Sequence, residues 1–254
     1  MARLVAPALE ALLFKLIDYA GAFPPASLTV EQAFRNYEEY RRGPHKWMLG
    51  RFVISAADID RLPAEIETPL AVLANEDNPR AESIESKSAV HSSKPVYWEC
   101  GVMDLERVQE AGNFAKFRTG GVTPEAIPSV DTVAEFVLEC GMRGVAFKAT
   151  AGLHHPIRSL RSLTYAADSP RAMMHGFLNL FLAAAFAWSG KREINRLLAE
   201  TDPSAFRFDD DQARWRDWSL SAEQIVAARR EFAHSFGSCS FTEPVEDLEM
   251  LGWL

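Results

Sequence analysis

The stretch 114–149, FAKFRTGGVTPEAIPSVDTVAEFVLECGMRGVAFKA, decides the fold. It opens with FAKFR (Phe114–Arg118) and closes with VAFKA (Val145–Ala149), two short runs that alternate with the period of a β-strand. Between them, SVDTVAEFVLECG carries a cap candidate in Ser129, apolar residues at helical spacing and a stop candidate in Gly141. A strand, a helix and a second strand in this order form a βαβ unit, which predicts a parallel sheet.

The same alternation extends outward. Further strand candidates are LIDYA (Leu16–Ala20), RFVIS (Arg51–Ser55), LAVLA (Leu70–Ala74), SIESK (Ser83–Lys87), VYWEC (Val96–Cys100) and FRF (Phe206–Phe208). Eight strands in a chain of 254 residues match the size of a (β/α)8 barrel. The intervals from Ala74 to Ser83 and from Lys87 to Val96 are too short for a full helix, so those early crossovers must be abbreviated. An open doubly wound sheet is the alternative, but no GxGxxG follows the first strand. Two further helices are expected, SLTVEQAFRNYEEYRR capped at Ser27, and SAEQIVAARREFAHSFG running from Ser221 to Gly237. The chain reads as one domain, residues 1–254, with 1–14 an N-terminal helix and 238–254 a C-terminal packing tail.

Composition narrows the partners. Lys and Arg number 27 against 35 Asp and Glu, a net charge of −8, which disfavours a nucleic-acid binder or a polybasic membrane-surface protein. The most apolar run, Phe177–Trp188, is shorter than the roughly 20 residues a membrane-spanning helix needs. Three cysteines, Cys100, Cys140 and Cys239, with no CxxC spacing, suggest neither a disulfide framework nor a zinc ribbon, and a cytoplasmic location is expected. A homo-oligomer stays open.

Charges at strand positions point to a site. Alternation places Lys116 with Arg118, Lys148 with Ala146, Glu85 with Lys87, and Glu99 with Tyr97, while Phe117 and Phe147 face the helices. The charged faces should therefore point into the barrel, where unpaired charges are too costly to keep for stability alone. A packed, neutralised ion-pair network is the alternative. Lys87, Lys116, Lys148 and Arg118 against Glu85 and Glu99 leave a surplus of two positive charges, which suggests a small anionic substrate. Lys116 and Lys148 fall on successive strands, about 5 Å apart, and each should depress the other's proton affinity. An amine kept neutral in this way attacks carbonyls and forms Schiff bases.

In FKATAGLHH, Lys148, Thr150 and Gly152 resemble the Lys-Thr-Ser-Thr-Gly motif of class I aldolases of the deoxyribose-phosphate aldolase type. AKFRTGG, with Lys116 ahead of Gly120 and Gly121, is similar to that family's second lysine segment, although the two segments stand in swapped order. The resemblance implies a cofactor-free barrel that makes or breaks a carbon–carbon bond beside a carbonyl. Lys148 would be the imine-forming amine and Lys116 its neighbour. A purely anion-binding role for both lysines, in a barrel without turnover, stays open.

His154 and His155 follow the strand that carries Lys148; His155 or Glu99 would move the proton, with Asp18 an orienting or acid/base candidate. Arg118, Lys87, Glu85, His154 and the Gly120–Gly121 amides would hold substrate. A divalent metal on His154 or His155 with Glu99 and Asp18 is the alternative, though no HxH or HExxH spacing supports it. Asn179 and His175 read as satisfied core groups. Cys239 reads as packing, because a helix after FRF would carry it toward the floor of the barrel, with His234 the sole basic residue nearby.

Overall fold

In a computed structural model describing residues 5–254, eight parallel strands close into a barrel. Helix α1 (Pro7–Leu13) precedes β1 (Ile17–Tyr19), and α2 (Val30–Tyr40) leads to β2 (Leu49–Ser55). Strands β3 (Leu70–Leu73), β4 (Ser83–Ser86) and β5 (Val96–Glu99) follow without α-helices between them, so the abbreviated crossovers are present. Then come α3 (Leu105–Glu110), β6 (Phe114–Arg118), α4 (Val130–Arg143) and β7 (Phe147–Thr150). A hairpin, β8 (Ser159–Ser162) and β9 (Arg171–Met174), precedes α5 (Phe177–Trp188) and α6 (Asn195–Leu198). A small antiparallel sheet, β10 (Phe206–Phe208), β11 (Gln212–Trp215) and β12 (Trp218–Ser221), leads to α7 (Ala222–Glu231), β13 (Ala233–Ser238) and α8 (Thr242–Met250).

The barrel runs β1-β13-β7-β6-β5-β4-β3-β2 and back to β1. Two sequence expectations are corrected here. FRF is not the eighth barrel strand; it pairs with Gln212–Trp215 outside the barrel. The eighth strand is β13, AHSFGS, which the helical reading of SAEQIVAARREFAHSFG had absorbed; α7 in fact ends at Glu231.

Local chemistry explains the helices. Thr29, not Ser27, caps α2 in a capping box with Gln32, and Ser221 does the same for α7 with Gln224. Ser129 caps α4, which runs past Gly141 and stops at Gly144, a left-handed residue with φ 66° that a Cβ would strain. The apolar α5 is buried from Phe177 to Ala187, and Asn179 within it is fully bonded to Leu197 O, Glu200 O and Arg158 N. The outward faces of the central strands pack as expected: Phe117 stacks on Phe136 of α4 at 4.2 Å, and Phe147 meets Phe136 and Phe232 edge-on. No helix among the described residues is long and apolar enough to cross a membrane.

Candidate functional site

With the apolar faces turned outward, the charged faces of β4 to β7 turn inward and meet. In-register pairing sets Glu99 beside Lys116 and Lys116 beside Lys148. The side chains form a chain of alternating sign. Asp18 Oδ2 accepts from Lys148 Nζ at 2.6 Å, and Lys148 also donates to Glu85 Oε1 at 2.6 Å. Lys116 Nζ lies 2.9 Å from Glu85 Oε2 and 3.0 Å from Glu99 Oε2, and Arg118 ends the chain 3.8 Å from Glu99. Ser235 of β13 donates to Asp18 Oδ2 at 2.7 Å, and the Arg51 amide donates to Oδ1 at 2.7 Å. Gly50 leaves room for this, since a Cβ there would stand 2.3 Å from Asp18 Oδ1.

The network is balanced, with Asp18, Glu85 and Glu99 facing Lys116, Lys148 and Arg118. The expected surplus of two positive charges is therefore corrected. Asp18 belongs inside, whereas Lys87 lies beyond β4 and is exposed at the rim. The expected depression of the Lys148 pKa is also corrected. Burial pulls it down, but Asp18 and Glu85 outweigh burial and hold it above the ordinary lysine range. Burial pushes Glu85 up, but Lys148 and Lys116 overcome it and bring its pKa down to about 2.

A cavity of about 600 Å³ opens at the C-terminal ends of the barrel strands, where such folds keep their sites. Lys116, Glu85, Glu99, Arg118, Lys87 and His154 all line it. Lys148, with no exposed surface, lies beneath it and is part of its floor structure, as is Asp18. Gly121 lines the cavity, but Gly120 serves packing: its loop and that of Gly152 approach so closely that a Cβ on Gly152 would meet Gly120 Cα at 2.8 Å. A larger hollow of about 880 Å³ at the opposite end surrounds Arg51, Arg229 and His234, on the face that ordinarily serves stability.

The histidines are engaged elsewhere than the metal reading requires. His154 Nδ1 lies 2.8 Å from Glu243 and His155 Nδ1 lies 2.7 Å from Asp247, both carboxylates on α8. Glu99 and Asp18 instead face lysines. Among the described residues no three His, Cys, Asp or Glu side chains are grouped so as to hold a metal ion. The assumption that carried Cys239 away from the site is overturned: it follows β13 directly, lines the same cavity as Lys116, and lies 3.9 Å from His154 Nε2. Sequence reasoning missed Cys239 and Glu243 because the true eighth strand was hidden. Residues 238–254 hold the end of that strand and α8, which supplies both histidine partners. All three cysteines are free.

No family model, curated protein or solved structure matches this chain.

Proposed function

We propose that the protein is a lyase or isomerase acting on a small anionic carbonyl compound, with Lys116 as the amine that meets the carbonyl. The observation that carries this reading is the position of Lys116, held between Glu85 and Glu99 yet lining the cavity. This exchanges the roles first expected of the two lysines, because Lys148 has no access to a ligand and keeps its proton.

In this scheme Glu99, which is partly exposed, takes a proton from the Lys116 ammonium as substrate enters. The freed amine adds to the carbonyl carbon, and the carbinolamine loses water to give an imine, with Glu99 returning the proton. The iminium accepts the electron pair released when Glu99, a carboxylate again, takes an α-proton, or when it takes the β-hydroxyl proton and the adjacent carbon–carbon bond breaks to release a carbonyl fragment. Glu99 then gives that proton to the enamine carbon, and hydrolysis of the imine restores Lys116. Arg118 and Lys87 at the rim bind the anionic end of the substrate. Lys148 below holds Glu85 ionised, so that a cationic iminium on Lys116 keeps a fixed countercharge.

The test is proton exchange at the carbon next to the carbonyl. The protein is incubated in deuterium oxide with a panel of 2-oxo acids and phosphorylated aldehydes and followed by NMR. Deuterium should enter at least one compound with the wild type and not with Lys116→Met. No exchange across the panel would count against the reading.

A further inference from the structure

Cys239, His154 and Glu243 form a relay that the lysine chemistry leaves unused. Cys239 stands immediately after β13 at the end of the eighth barrel strand, with His154 on the loop after the neighbouring strand β7. The imidazole lies between its two partners, Nε2 at 3.9 Å from Cys239 Sγ and Nδ1 at 2.8 Å from Glu243 Oε2. Glu243 sits in the first turn of α8 and is fixed from two sides, by Tyr165, whose hydroxyl donates to Oε2 at 3.1 Å, and by its own amide, which donates to Ser240 Oγ at 3.1 Å. A thiol, a histidine within reach of it, and a third group orienting the histidine make up an activated nucleophile. Both Cys239 and His154 are largely buried, yet each lines the cavity, and His154 also borders a second one of about 530 Å³ that holds Arg161 and Arg171.

We propose that Cys239 is a nucleophile that accepts the acyl group of a small ester or thioester, with His154 as its acid and base. The Cys239 thiol passes its proton to His154 Nε2 as the sulfur attacks the acyl carbon, an S–C bond forms, and the C–O or C–S bond to the leaving group breaks as His154 hands that group the proton. Water then attacks the thioester with His154 taking its proton, the S–C bond breaks as His154 returns the proton to sulfur, and the acid and the thiol are released. An anionic leaving group would find Arg161 and Arg171 in the adjoining cavity that His154 also borders.

The charges around His154 suit both halves of the cycle. Burial alone would lower its pKa, but the bonds to Cys239 and Glu243 raise it to about 9, so the ring holds well the proton that it passes from the thiol to the leaving group. Acylation ties Cys239 Sγ up in the thioester and removes its 3.9 Å contact with His154 Nε2, so the ring is free to act as base toward water. The Tyr165 hydroxyl stands 3.9 Å from Cys239 Sγ and donates to Glu243, and the His155 ring lies 6.4 Å from that of His154. The remaining thiols lack such partners: burial pushes Cys100 to about 12 and Cys140 well above the ordinary range.

The proposal goes beyond the lysine reading, and neither step uses Lys116. The experiment mixes the full chain rapidly with p-nitrophenyl acetate and maps the acetyl group by peptide mass spectrometry. The expected result is a burst of about one equivalent of p-nitrophenolate with the acetyl on Cys239, slowed about 10²-fold in His154→Asn and lost in Cys239→Ala. A parallel reading uses the wild type alone: iodoacetamide near pH 6 should label Cys239 at least about tenfold faster than Cys100 or Cys140. Absence of acetyl on Cys239, an acetylation rate unchanged in His154→Asn, or equal labelling of the three thiols would overturn the proposal.

Discussion

Lys116 and Lys148 stand opposite each other in register on adjacent strands and share one carboxylate, Glu85, whose two oxygens hold them at 2.9 Å and 2.6 Å. Two ammonium groups so close would repel, and the shared anion turns that repulsion into a chain of attractions. Placing two carboxylates on Lys148 offsets the several kcal/mol that burying each ion costs. The same arrangement divides the labour of the lysines: one is locked below the floor, and the other stands at the cavity wall.

Removing Lys148 should therefore unfold the barrel before it changes any chemistry. Lys148→Met leaves Asp18 and Glu85 as uncompensated buried charges, and a loss of about 3–5 kcal/mol is expected in urea denaturation. Adding Asp18→Asn and Glu85→Gln to that variant should recover much of the loss. A stable single variant would show that the ion pairs are not closed as described.

Acid should act through Glu85. Its folded pKa of about 2 lies below the ordinary 4.5, so the unfolded chain binds a proton where the folded chain does not. The stability it contributes is complete above pH 4.5 and disappears as pH falls toward 2. His154 works in the opposite sense: its pKa is raised from 6.5 to about 9, so its contribution is complete below pH 6.5 and fades through 9. Melting temperatures measured across pH should show both limbs. Glu85→Gln should flatten the acid limb and His154→Asn the alkaline one.

Gly50 tests how tightly Asp18 is held. A Cβ at this position meets Asp18 Oδ1 at 2.3 Å and the Lys15 and Ile17 carbonyls at 3.2 and 3.3 Å. Gly50→Ala should cost about 1–3 kcal/mol in thermal unfolding, because Asp18 must leave Lys148 or the strand must move. Gly101→Ala, with open space around its Cβ, should leave the melting temperature nearly unchanged.

The β4–β7 side of the barrel was legible because its strands announce themselves. Phe117 and Phe147 alternate with Lys116 and Lys148, and a strand with one greasy and one charged face has a single sensible orientation in a closed barrel. Strand β13 carries no such signal. Its inward Ser235 and Gly237 are small, and it follows α7 with no proline or glycine between, so helical periodicity runs straight through it. Losing that strand hid Cys239 and its contact with His154. Asp18 was visible as a candidate, but its partnership with Lys148 joins residues 130 positions apart, which only the closure of β1 onto β13 beside β7 brings about. The charge balance of the pocket followed from that closure.

Reductive trapping reads the imine on Lys116 directly. The protein is mixed with each 2-oxo acid or phosphorylated aldehyde in the panel, reduced with sodium borohydride and digested for peptide mass spectrometry. A secondary amine is expected on Lys116, none on Lys148, and no adduct in Lys116→Met. An adduct on Lys148, or none on any lysine with a compound that the protein turns over, would contradict that assignment.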